Sequence, residues 1–179
     1  MPDFPRALVE QNQISIGSFS PESIGLELMS TGVTASTSFA WPTANLALYI
    51  PVEVYTPILI AKMSINNGAT VSGNVDVGIY DVGGAKLVTM GSTAQSGVSA
   101  IQTFDIADTL LLPGLYYMAL AIDNTTSTIA GWTGAIAIEC EAMGVFQQAS
   151  AFALPSPATY AANTQTVMPL ISMTPKTTI

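Results

Sequence analysis

The chain has 179 residues, the length of one domain, and only 9% of them are charged, against about 25% in ordinary soluble domains, while 49% are hydrophobic. Lys and Arg number 4 and Asp and Glu 12, so the net charge is −8, with no histidine and 1 cysteine. These counts exclude a disordered bulk, which needs low hydrophobicity and high charge, an intrachain disulfide, and a nucleic-acid binder, because so few cations cannot neutralise a phosphate track.

Residues 1–38 carry no strong period. They contain Pro2, Pro5 and Pro21 and a Ser/Thr/Gly stretch from Ser30 to Ser38. We read them as an extended N-terminal arm with one short strand, Gln13–Ile16, and a single helical turn at Glu22–Leu28. The start MPDFPRALVE has two prolines and two acids and no apolar run, so it does not read as a signal peptide.

Residues 39–146 are dense in strand signals. Leu46–Tyr55 and Ile58–Ile65 are apolar runs. The most apolar stretches, Leu46–Ala61 with Pro51, Glu53 and Pro57 and Leu110–Ile122 with Pro113 and Gly114, are too broken to cross a membrane, which takes about 20 apolar residues. Asn66-Asn67-Gly68-Ala69 is a turn signal. Val75, Val77 and Ile79 alternate with Asp76, Gly78 and Tyr80, the period of a half-buried strand. Asp81-Val82-Gly83-Gly84 closes a hairpin to Lys86–Met90, and Gly91–Gly97 is a small-residue loop. Ser99–Ile106 is the next strand, and Leu112-Pro113-Gly114 turns into Leu115–Ile122. Both faces of that last strand are apolar, which predicts a central position. Thr128–Trp132 and Ala135–Cys140 follow as shorter strands.

Residues 147–179 return to Ala, Ser, Thr and Pro and end in an apolar run, Val167–Met173. We read them as a C-terminal extension with a last strand at Val167–Met173; Ser150–Leu154 could make at most one helical turn, since it carries no i, i+3, i+4 apolar stripe. Strands every 8–12 residues with Gly, Pro or Asn turns predict an all-β chain. The expected fold is an antiparallel β-sandwich, jelly-roll-like, over 39–146, with the arm 1–38 and the tail 147–179.

Chemistry is hard to place. Without histidine the usual general base, the Ser-His-Asp triad and most zinc sites are gone. Glu53, Asp76, Asp81, Asp105, Asp108 and Asp123 leave a two-carboxylate hydrolase formally open. Each has a plainer role at a turn or strand end. Asp105 and Asp108 are the tightest acidic set, short of the six to eight oxygens a calcium ion takes. Cys140 between Glu139 and Glu141 reads as a small buried hydrophobe and not a nucleophile, and an unpaired thiol suits a reducing cytoplasm. No catalytic, cofactor-binding or metal residue is assigned, and no cofactor is expected. Of the aromatic residues, Trp41 before Pro42 and Trp132 between Gly131 and Gly134 are expected to be the exposed pair. They are the candidate glycan-contacting residues.

Residues 45–125 carry a VDVGIYD hairpin, a GSTAQSG loop at Gly91–Gly97 and an LPGLYYMAL strand. In that combination the chain resembles structural proteins of tailed bacteriophage virions, either tail- or fibre-associated or capsid-decorating. The resemblance implies a non-enzymatic virion component, made in the host bacterial cytoplasm, whose partners are other virion proteins. It carries over no catalytic residue. Charge depletion of the kind seen at the cores of interfaces, with apolar Phe4, Leu8 and Val9 in the arm and Val167, Leu170 and Ile171 in the tail that have no local core to bury them, predicts a homo-oligomer. The number three for its copies comes from the resemblance. Two alternatives stay open: a carbohydrate-binding or host-adhesion module that contacts a host surface glycan, and extensions that fold back to complete the sandwich edges.

Overall fold

The computed structural model describes residues 28–29, 37–134 and 136–176, the first pair by backbone alone. In chain order the elements are β1 (Leu28–Met29), β2 (Thr37–Ala40), β3 (Leu46–Val54), β4 (Ile58–Asn66), β5 (Asn74–Asp81), β6 (Lys86–Thr89), β7 (Thr93–Ala94), β8 (Ile101–Leu111), β9 (Gly114–Ile122) and β10 (Thr128–Thr133). They continue with α1 (Ala137–Ala142), β11 (Phe146–Gln148), β12 (Ala161–Ala162), β13 (Val167–Pro169) and β14 (Ile171–Pro175). The protein is all-β, as its pattern predicts.

The strands form three sheets in which every pair is antiparallel. The largest runs β12-β11-β3-β9-β5-β6, with β7 added beside β5. Another runs β1-β14-β4-β8, and the smallest runs β13-β10-β2. The two smaller sheets adjoin. Strands β13 and β14 are separated by Leu170 alone, whose N–H donates to the Ala130 carbonyl and whose carbonyl accepts from Asn66 N–H. An isolated bridge between Asn67 and Ile129 makes the same junction.

Alternation fixes which side chains enter the core. Leu48, Ile50 and Val52 of β3, Val75, Val77 and Ile79 of β5, and Met118, Leu120 and Ile122 of β9 face one way. They meet Ile60, Met63 and Ile65 of β4, Phe104 and Ile106 of β8, Ile129 of β10, and Ile171 and Met173 of β14. Each such side chain contributes about 1.5–3 kcal/mol when fully buried. β9 lies between β3 and β5, bonded to both, and its last six residues are buried on either face, the central position expected for it.

Four local expectations differ from the structure. Ala135–Cys140 was expected as a strand, yet Ala137–Ala142 is helical. Its apolar run is too short for strand and helix to be told apart by period, and helical spacing turns Cys140 inward while Ile138 stays exposed. Ser150–Leu154 is not a helical turn; after a turn at Ala149–Ser150 it runs irregularly. Val167–Met173 is not one strand but parts of two, each in a different sheet. The rest of the segment expected as an extension folds back, as the alternative had it: β11 pairs with β3 and β14 with β4, and Val167 and Ile171, expected to find no core in their own chain, are buried in it. The strand at Gln13–Ile16 and nearly all of the turn at Glu22–Leu28 lie outside the described residues.

Candidate functional site

The outer face of the largest sheet is the most elaborately built part of the molecule. There Ala47 and Tyr49 of β3, Asp76, Gly78 and Tyr80 of β5, and Tyr117, Ala119 and Ala121 of β9 point away from the main core. Residues 149–160 cross this face as a strap, and Ala151, Leu154 and Ala158 bury themselves on it. The small residues beneath make the close approach feasible. A Cβ on Gly78 would stand 3.1 Å from Leu154 Cδ1 and 2.8 Å from the Val88 carbonyl. Gly84, at φ +85, would put one 2.6 Å from the Ala158 carbonyl.

Polar groups fasten the strap at each turn of its path. Asp76, 1% exposed, accepts the Leu154 N–H at 2.9 Å on one carboxylate oxygen, and on the other the Gly91 N–H at 2.9 Å and the Thr89 hydroxyl. Tyr80 donates to the Pro155 carbonyl at 2.5 Å, Lys86 to the Leu154 carbonyl at 3.0 Å, and Tyr160 to the Asp81 carbonyl at 2.7 Å. Tyr49 and Tyr160 meet edge to face at 5.1 Å, and Tyr160 stacks on Phe146 at 5.4 Å. Burial, above all, pushes the phenols of Tyr49, Tyr80 and Tyr160 well above their ordinary 10.0. These hydroxyls are donors locked to acceptors, not proton-transfer groups at neutral pH.

The Gly91–Gly97 loop is held by a second polar network. Asn67, buried, donates to the Ser96 carbonyl at 2.6 Å and accepts from Gln95 Nε2 at 2.9 Å. Gln95 in turn accepts the Ser72 N–H, and Gln102 accepts the Ser96 N–H, each at 2.9 Å. The loop's amides and carbonyls are bound by the protein's own side chains, so this arrangement rigidifies the loop.

The two tryptophans part company. Trp41 is 1% exposed, and its indole N–H donates to the Leu46 carbonyl at 3.1 Å. The expectation that it is exposed is corrected: the chain folds the residue before Pro42 into the core, where the indole finds both packing and an acceptor. Trp132 is half-buried against the core and has no second tryptophan to form a platform.

The carboxylates are dispersed. Glu53 accepts from the Tyr55 hydroxyl, Asp81 caps the hairpin through the Ala85 N–H, and Asp123 accepts from Asn124. Asp105 stands across from Lys62 in the register of β8 and β4, and Asp108 is ion-paired with Lys176. Among the described residues no three metal-ligating side chains cluster. The Cys140 thiol is pushed up by burial and by Glu139, which makes it a poor nucleophile.

The surface is where sequence reasoning fell short. Leu59 and Leu110 lie directly opposite each other on β4 and β8, both exposed, Leu110 to 60%. Leu112 follows at the turn, and Ile101 at the other end of β8 is 64% exposed. Ile136, Ile138 and Met143 form a second exposed apolar group around α1. The signal lay in β8, where Leu110 and Leu111 are adjacent and so cannot both face inward. Compared with known proteins, the chain matches no family model, and no curated protein matches it.

Proposed function

We propose that this chain is a non-enzymatic structural subunit that assembles with copies of itself, and that its setting is the virion of a tailed bacteriophage. The observation that carries the assembly reading is the exposed Leu59–Leu110 pair on a chain only 9% charged. Exposed apolar side chains opposite each other on a charge-depleted surface have the composition of an interface core. The rest of the molecule supports a scaffold role. Its polar clusters terminate on its own backbone, and its buried tyrosines and Asp76 brace a rigid sandwich. The virion setting comes from the resemblance of residues 45–125.

The test is direct. Particles purified from a lysate of the source are probed with gold-coupled antibody to this protein and digested for mass spectrometry. The proposal expects gold at a fixed station on the particle, tail or capsid, and peptides of the chain in stoichiometric amount. A protein found only in the soluble fraction contradicts the virion setting.

A further inference from the structure

The largest sheet and the β1-β14-β4-β8 sheet are joined at one end of the molecule by two short crossings. β3 and β9 pair as far as Val54 and Gly114, and β4 and β8 pair as far as Ile58 and Leu111. Residues 55–57 therefore carry the chain from β3 to β4 beside residues 112–113, which carry it from β8 to β9. Alternation turns Leu111 inward and leaves Leu110 and Leu112 outside. The result is an apolar end: Tyr55, 78% exposed, Leu59, Leu110, Leu112 and Leu115 are all exposed there, with exposed Pro57 and Pro113 in the two crossings. The end is firmly built. The Tyr116 hydroxyl donates to the Leu112 carbonyl at 3.0 Å, the Tyr55 hydroxyl to Glu53 Oε2 at 3.0 Å, and the Lys176 N–H to the Leu59 carbonyl at 2.7 Å. At about 200 Å² for a fully exposed side chain of this size, the five present on the order of 500 Å². That is near the upper limit for a lone chain and most of the about 800 Å² that one partner gives to a stable interface.

We infer that this end is the contact through which copies of the chain join, the β4 side of one end lying against the β3 side of the next in a closed ring. The inference rests on the self-association proposed above and names its surface. Charge chooses the occupant. A chain of net charge −8 repels its own copies, so they meet most readily where acids are few or compensated. Two of the described lysines stand on the β4 side. Lys176, beside Leu59, pairs with Asp108, and further along the sheet Lys62 lies across from Asp105. The β4 side is therefore balanced. The β3 side carries Glu53, opposite Leu115. In a ring each Glu53 faces a neighbour's lysine-bearing side and not another Glu53. The other exposed apolar group, Ile136, Ile138 and Met143, is set differently. On α1 the exposed acid Glu141 stands three residues from Ile138 and so beside it on the helix, and the three described lysines are engaged elsewhere. Copies meeting there would bring acid to acid.

The test uses the full-length protein. Leu112→Asp and Ile138→Asp change the net charge equally, one at the apolar end and one on α1. Sedimentation velocity of both and of the unmodified chain is followed across concentration, with circular dichroism to check the β fold. The inference expects Leu112→Asp to weaken self-association by about tenfold or more, because each copy then buries a like charge in the contact, and Ile138→Asp to leave it unchanged. Hydroxyl-radical footprinting of the unmodified chain needs no variant to fold. Tyr55 and Leu112 should react less in the assembly than after dilution to the monomer, while Ile138 and Met143 react alike in both. Assembly that Leu112→Asp leaves intact, with Tyr55 equally reactive in assembly and monomer, would overturn the inference and leave the self-association standing. Tyr55 protected in the dilute monomer would overturn it too, the end being covered by the chain itself. A monomer at every concentration would overturn both.

Discussion

Asp76 is buried beneath the strap, and the way its carboxyl group is satisfied explains how the strap is held. Its two oxygens take three donors, from Thr89, Gly91 and Leu154, and no cation. Hydrogen bonds to a charged group are worth about 1.5–3 kcal/mol, and a buried donor left facing another donor costs more than it would gain from water. In Asp76→Asn one oxygen becomes an NH2, so either Leu154 N–H or the Thr89–Gly91 pair loses its acceptor. We expect a loss of about 2–3 kcal/mol in urea unfolding, or roughly 5–10 °C in midpoint for a domain of this size. A loss under about 0.5 kcal/mol would contradict the pinning role. In the sequence Asp76 is legible only as the polar partner of an alternating strand, because the donor that matters is 78 residues away. Trp41 fails for the same reason. Its neighbours Ala40 and Pro42 suggest exposure, and its burial depends on a sandwich assembled by distant strands.

Elements were legible where the period was long and strict. β5 announces itself by alternation, and the apolar character of both faces of β9 foretells a sheet covered on either side. What covers the second face was not legible. Residues 149–160 have no period, because an irregular strap is positioned by single contacts: Leu154 on Gly78, Ala158 against Gly84, Tyr160 over Tyr49 and Phe146. The α1 segment misleads for a related reason, being six residues long with one buried side chain. The strap makes a pH prediction. Tyr49, Tyr80 and Tyr160 have folded-state values above 10.0, whereas the unfolded chain ionises near it. Above pH 10 the unfolded form therefore holds fewer protons than the fold, and stability falls as pH rises; below pH 10 the groups are neutral in both states and their contribution is intact. Absorbance at 295 nm should show these three phenols ionising only together with unfolding, and the thermal midpoint should decline above pH 10. Reversible titration of every tyrosine near 10 with an unchanged midpoint would contradict it.

At the scale of the whole molecule the dominant fact is how little charge the surface has to work with. Among the described residues the cations are Lys62, Lys86 and Lys176; one lies across from Asp105, one bonds to the strap and one pairs with Asp108. The remaining surface presents Leu59, Leu110, Leu112, Ile136 and Ile138 with acids and small polar residues around them. The low charge is a ground for the assembly proposed above, but it names no face, because which apolar side chains stay exposed depends on the fold. Light scattering of the purified full-length protein at micromolar concentration tests the central claim most directly. The account predicts a mass that is a whole multiple of 18.6 kDa, three copies being the number the resemblance implies, stable on dilution through that range. A single species at 18.6 kDa at every concentration would contradict it.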